Sequence, residues 1–263
     1  MTDRGELLTL AVEIAREAGD LGLHERPRRL DTSTKSSPTD VVTQMDTAAE
    51  RLIVERLLAA RPDDSIMGEE GAGIHGTSPV RWVVDPIDGT VNYLYDIPYW
   101  AVSVAAEVEG TVVAAAVYDP SRDEMFTATL DGGARLNGRP IEVSECSELP
   151  QALIATGFGY AVARRASQAA VVARVLPAVR DIRRMGAASL DLCALACGRV
   201  DGYYERGLAA WDHAAAGLVA REAGAVVAGL HGRPPGPDLV VAAGAGLFSQ
   251  LHDLLASAHA DRD

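Results

Sequence analysis

The chain has 263 residues, 48% of them hydrophobic, and a formal net charge of −13 at pH 7. That length and apolar content allow a sizeable core, as one large domain or two modest ones. The negative charge excludes nucleic acid or an anionic membrane surface as the main partner, so an anionic ligand would have to be attracted locally.

In chain order, Leu7, Leu8, Ala11, Ile14, Ala15 and Ala18 recur at helical spacing, with Gly19 read as the stop. The polar stretch 31–40 reads as a loop. A second helix is expected behind Thr47 and Glu50 as a capping box, with Ala48, Leu52, Ile53 and Leu57 buried and Pro62 as its end. The apolar run Trp82, Val83, Val84 then reads as a buried strand. Strands are expected over 100–107, 111–118 and 124–130, joined by the turn residues Glu109, Gly110, Asp119 and Pro120, with a tight hairpin at Asn137 and Gly138. The second half predicts strands at 153–156, 202–204, 225–227 and 239–243 and helices at 167–179, 188–197, 214–223 and 247–258. Mixed order of this kind predicts layered α and β structure with more than one sheet. The polar stretch 145–150 is the expected subdomain boundary.

Two acidic clusters carry the chemistry. Glu69 and Glu70 follow Gly68, and Asp85, Pro86, Ile87, Asp88, Gly89 and Thr90 leave the apolar strand. Taken singly, such residues are ordinary: a turn, a solvated pair, and for Asp212 a helix cap. Together they differ, because Asp85 and Asp88 have no Lys or Arg in their motif to neutralise them. Crowded carboxylates repel unless a hard cation lies between them, which points to a magnesium site for phosphate chemistry. Cys146, Cys193 and Cys197 read as reduced thiols, and the histidines form no zinc spacing with them. The N-terminus shows no apolar signal core and no run approaches the roughly 20 residues of a membrane span. A cytoplasmic protein is expected.

These residues are similar to the motifs of the inositol monophosphatase family, in its bacterial inositol-1-phosphatase branch. The resemblance runs nearly end to end: Lys35 to Pro38 with Asp40 and Asp46, Gly68 to Glu70, Trp82 to Thr90 with Asn92 and Tyr93, Ile182 to Ala188, Tyr203 to Glu205, Trp211 to Gly217, and Glu222 to Gly224. It implies an α+β fold, a layered α/β/α/β/α sandwich of the inositol monophosphatase and fructose-1,6-bisphosphatase type. One domain would span 1–263, with subdomains of about 1–148 for metal and phosphate and 149–263 for substrate specificity. It also implies a lithium-sensitive homodimer using Mg2+, about two to three ions per site.

By the same resemblance, Glu69, Asp85 and the Ile87 carbonyl would hold a first ion, and Asp85, Asp88 and Asp212 a second. A third ion would lie by Glu69, with Lys35 nearby. Thr90 backed by Asp46 would accept a proton from the attacking water, since a hydroxyl alone is a poor base. The Gly89 and Thr90 N–H groups, opening a short helical turn, would cradle phosphate oxygens. Gly186, Ala187, Ala188 and Glu205 would line the substrate pocket. Ala187 departs from the animal enzymes of the family, which carry Thr there, so one hydroxyl contact to substrate is missing. Arg183 and Arg184 read as dimer-face or helix-flanking residues, and His213 as a packing residue. Inositol 1-phosphate is the expected substrate. Glu205 serves an amino alcohol equally well, so histidinol phosphate stays open. Fructose 1,6-bisphosphate, a nucleotide 3′-phosphate, and a regulatory binding role without catalysis are further alternatives.

Overall fold

The computed structural model describes residues 3–35 and 40–262, so Ser36, Ser37 and Pro38 of the first motif lie outside it. Helix α1 (Arg4–His24) starts at Asp3, whose side chain accepts from the Gly5 N–H. It runs straight through Gly19, which is a packing position and not a stop. A Cβ at Gly19 would lie 2.5 Å from Tyr118 Cδ1, and one at Gly22 would lie 2.8 Å from Trp100. Both glycines let the helix lie close on the sheet beneath it.

Strands β1 (Thr32–Thr34) and β2 (Val41–Thr43) form a small antiparallel pair that feeds α2 (Gln44–Ala60). The cap of α2 falls four residues ahead of the expected one. Thr43 Oγ1 accepts from the Met45 N–H at 3.1 Å, and Asp46 Oδ2 accepts from the Thr43 N–H at 2.9 Å. Thr47, expected as the cap, is exposed.

Next come β3 (Ser65–Gly68), β4 (Gly73–Ile74), β5 (Val80–Asp88), the short α3 (Thr90–Leu94), β6 (Ala101–Val108), β7 (Thr111–Asp119), β8 (Glu124–Thr129), β9 (Gly133–Leu136) and β10 (Arg139–Pro140). They make an eight-stranded sheet in the order β10-β9-β8-β7-β6-β5-β3-β4, antiparallel except where β3 meets β5. Asn137 and Gly138 both take positive φ, 48° and 77°, in the two-residue turn joining β9 to β10.

After Pro140 the chain crosses over and builds a second, five-stranded sheet. Its elements are β11 (Leu153–Thr156), α4 (Val162–Val175), β12 (Asp181–Arg183), α5 (Ala188–Ala196), β13 (Gly202–Glu205), α6 (Ala210–Glu222), β14 (Ala225–Ala228), β15 (Val240–Gly244) and α7 (Ala245–Ser257). The strand order is β12-β11-β13-β15-β14.

Strand alternation sorts these elements into layers. In the large sheet, Trp82, Val84, Val102 and Val104 pack with Leu7, Ile14, Ile53 and Leu57 of α1 and α2. Val83, Ala105, Ala115 and Val117 face the other way, onto Leu192, Leu195, Ala215 and Val219 of α5 and α6. Tyr203, Val240 and Ala242 of the second sheet meet that same central layer. Ile154, Tyr204 and Val241 point outward to Val171, Leu247 and Leu251 of α4 and α7. The result is an α+β sandwich of five layers, α/β/α/β/α. Among the described residues no helix is long and apolar enough to cross a membrane.

Candidate active site

The site is built where β5 loses its regular register. Val83 faces the central helices while Trp82 and Val84 face α1 and α2, so strict alternation would send Asp85 and Ile87 together to the central side. Instead Ile87 packs with the α1/α2 core, and the pairing with β6 shifts between Asp85 and Asp88. Asp85 lies opposite Ser103 and Asp88 opposite Ala101, one extra residue on β5. This bulge returns Asp88 to the side that Asp85 occupies. Gly89 follows at φ 91°, where a Cβ would press on Ala187, the Tyr99 carbonyl and the Gly186 carbonyl at 3.1–3.3 Å. Glycine is required there by both conformation and space.

A cavity of about 450 Å³ opens at this point. Its walls include Lys35, Glu69, Asp85, Ile87, Asp88, Gly89, Thr90, Gly186, Ala188, Glu205 and Asp212, drawn from strands, helices and loops of both halves of the chain. Two of the expected residues stand behind the wall. Asp46 is fully buried beneath Thr90, whose Oγ1 donates to Asp46 Oδ1 at 3.0 Å and lies 3.1 Å from the Ile87 carbonyl. Ala187 is buried as the residue before α5, packed near Gly89.

Each carboxylate is anchored by its own local structure. Asp85 Oδ1 accepts from the Ile87 N–H at 3.1 Å. Asp88 reaches the N-terminus of α5, accepting from the Ala188 N–H on Oδ1 at 3.2 Å and from the Ser189 N–H on Oδ2 at 2.7 Å. The Ser189 hydroxyl donates to that same Oδ2. Asp212 lies in the first turn of α6, past the cap position, and its Oδ2 accepts from the Ala209 N–H at 2.6 Å. Glu69 Oε1 receives Lys35 Nζ at 2.9 Å, and Glu70 binds the same ammonium.

The electrostatics are those of uncompensated charge. Burial drives the Asp85 carboxyl well above the usual range, with further push from Glu69, Asp88 and Asp212. Asp212 rises for the same reasons. Asp88 is raised by burial to about 6, with the Ser189 contacts opposing the rise. Burial also raises Asp46, against its hydrogen bonds to Thr43 and Thr90.

Among the described residues, no three His, Cys, Asp or Glu side chains converge as a closed ligand cluster. The expected cage is instead a ring of separately anchored oxygens around a cavity. That arrangement fits magnesium, which keeps several waters and takes only a few carboxylates directly. A hard cation would also relieve the mutual repulsion that raises Asp85 and Asp212.

Other contributors were not legible in the sequence motifs. Glu50 of α2 accepts from the Glu70 and Ala72 N–H groups at 2.8 and 3.0 Å, shaping the turn that presents Glu69. A Cβ on Gly68 would lie 2.3 Å from Glu50 Oε2, so glycine is needed for that support. The signal was present in Glu50 lying one turn after Asp46 on the same helix face. Arg184 corrects the sequence reading: it lines the cavity, its guanidinium 5.9 Å from the Phe158 ring, whereas Arg183 pairs with Asp181 at 2.7 Å. Phe158, Tyr160, Arg164 and Arg206 also line the cavity. Tyr203 donates to Glu205 Oε2 at 2.9 Å, and burial raises the Glu205 carboxyl to about 7, opposed by that bond and by Arg184.

A five-layered sandwich with a carboxylate-ringed cavity at a strand bulge defines a class, the phosphoric monoester hydrolases of this architecture. The chain belongs to the inositol monophosphatase family, whose model matches residues 3–262. It is 50% identical over 227 residues to the inositol-1-monophosphatase of Mycobacterium bovis, covering 82% of this chain and 78% of that protein. It is 41% identical over 230 residues to the Nus factor SuhB of Escherichia coli, covering 86% of each. Among solved structures, Mycobacterium tuberculosis SuhB superposes with a TM-score of 0.85 at 40% identity, over 100% of both chains.

Proposed function

We propose that this protein is a magnesium-dependent phosphomonoesterase that hydrolyses inositol 1-phosphate to inositol and phosphate. The observation that carries the reading is one cavity lined by Glu69, Asp85, Asp88 and Asp212 together with Glu205. Glu69, Asp85, Asp88, Asp212 and the Ile87 carbonyl would hold the ions. When bound, magnesium polarises the phosphate, activates water and neutralises developing charge.

The protein's own groups do the rest. Asp46 takes the proton that Thr90 Oγ1 relays, because its Oδ1 already accepts from that hydroxyl. Asp46 Oδ2 is fixed by the Thr43 N–H and hydroxyl, which keeps the carboxylate aimed at Thr90. The Gly89 and Thr90 amides hold phosphate oxygens. Glu205, fixed by Tyr203, accepts from the polyol hydroxyls, and Gly186 and Ala188 line the same cavity. Lys35 occupies the flank of Glu69 where a further, weaker ion would bind.

Arg184, which lines the cavity and acts on the Glu205 carboxyl, favours a neutral polyol over an amino alcohol, whose ammonium would meet like charge. The proposal includes a lithium-sensitive homodimer working in the cytoplasm, as the family resemblance implies. The test is phosphate release with Mg2+, comparing kcat/KM for inositol 1-phosphate and histidinol phosphate. Preference for the inositol ester supports the reading. Preference for histidinol phosphate replaces the substrate and keeps the chemistry, and no turnover of either would leave a regulatory binding protein that retains the fold.

A further inference from the structure

Two residues past Ala187, Ser189 places a hydroxyl against Asp88. Ser189 is fully buried in the first turn of α5, and its side chain faces Asp88. An ionised carboxylate has about four lone-pair sites, two on each oxygen. Oδ2 of Asp88 takes two donors, the Ser189 N–H and the Ser189 hydroxyl, and is filled. Oδ1 takes one, the Ala188 N–H at 3.2 Å, and keeps one site in hand. Asp88 lines the cavity, so what it offers there is a single oxygen with a single open lone pair.

We propose that Ser189 is a positioning residue: by filling Oδ2 of Asp88, it fixes that carboxylate as a one-oxygen ligand presented by Oδ1. The inference rests on the metal-site reading above. Its physical content is geometric. The two amides of α5 hold one oxygen each, the Ala188 contact being the longer at 3.2 Å, so together they leave the carboxylate free to tilt about the line through its two oxygens. The hydroxyl approaches Oδ2 from the side chain and removes that freedom. Without it, Oδ2 has an open lone pair in a buried place, where an unmade bond is unfavourable. The carboxylate then turns to share its oxygens differently, and Oδ1 leaves its line into the cavity.

The test is magnesium binding by the full chain without substrate, read from the rise in Tm with Mg2+ concentration, for wild type, Ser189→Ala, Asp88→Asn and the double variant. Ser189→Ala removes one buried hydroxyl, and its Tm in EDTA gives the metal-independent baseline. Loss of one charge-assisted bond predicts a magnesium midpoint about tenfold higher in Ser189→Ala. In the Asp88→Asn background the same change should leave the midpoint unmoved, because the coupling runs through Asp88 alone. An unchanged or tighter midpoint in Ser189→Ala would overturn the proposal. So would equal effects of Ser189→Ala with and without Asp88, which would assign Ser189 a general structural role. If wild type itself shows no magnesium response, the metal-site reading fails first, and that outcome is distinct from either.

Discussion

Glu205 gives the sharpest test of the substrate end of the cavity, because its charge state affects stability as well as recognition. Its carboxyl is raised from an ordinary 4.5 to about 7, chiefly by burial. A raised acid contributes stability fully below the unfolded value and loses it as pH rises through the folded one, since above about 7 the native state must carry a buried charge. At ~1.4 kcal/mol per pH unit the full effect is roughly 3 kcal/mol, and screening at the cavity wall trims this to about 2 kcal/mol. Glu205→Gln keeps an oxygen for the Tyr203 hydroxyl and removes the charge. The variant should therefore match wild type near about pH 5 and exceed it near about pH 8. For a chain of this size the gain corresponds to roughly 4–8 °C in Tm. The assay is thermal unfolding by circular dichroism in EDTA at both pH values. Asp88 and Glu70 titrate in both proteins and cancel in the difference to first order. An equal shift at both pH values would refute the argument and leave Glu205 charged throughout.

Three further outcomes follow from the same geometry. Asp85→Asn should abolish magnesium-dependent turnover while raising Tm in EDTA, because it removes repulsion among Asp85, Asp88 and Asp212; a lowered Tm with activity retained would contradict both halves. Asp46→Asn should lower kcat by about 10²–10⁴ with little change in KM, since an amide cannot accept from Thr90 as a base would; a KM effect alone would move Asp46 into substrate binding. Arg184→Ala should raise kcat/KM for an amino-alcohol phosphate relative to a polyol phosphate about fivefold, the worth of roughly 1 kcal/mol of relieved like-charge contact; an unchanged ratio would show that Arg184 does not face the substrate.

The sequence reading succeeded where one residue's chemistry and its neighbours' periodicity agreed. The apolar run before Asp85 and the turn pair Asn137 and Gly138 are local signals, and the strands and hairpin they predict are present. It went astray where two local readings competed. Thr43 with Asp46 and Thr47 with Glu50 are both capping-box spacings, one helical turn apart, and only tertiary structure chooses between them. Gly19 looked like a helix stop because its packing partner, Tyr118, is distant in sequence and supplies no local signal. Arg184 was likewise invisible as a cavity residue, since the aromatic ring it approaches, Phe158, belongs to another loop.

The capping choice has a chemical consequence. A carboxylate used at Thr43 and again at Thr90 couples the start of α2 to the start of α3 through one side chain. Glu50, one turn further along α2, holds the turn that carries Glu69. One helix face thus fixes both the residue behind the hydroxyl and the loop that supplies a carboxylate to the cavity, across a gap of 44 residues from Asp46 to Thr90. The apolar side of the same helix, Ile53 and Leu57, is buried against the large sheet. A polar stripe on a core helix therefore ties the packing of this fold to the proposed site, and the hydrogen bonds it makes account for the burial of Asp46 and Glu50.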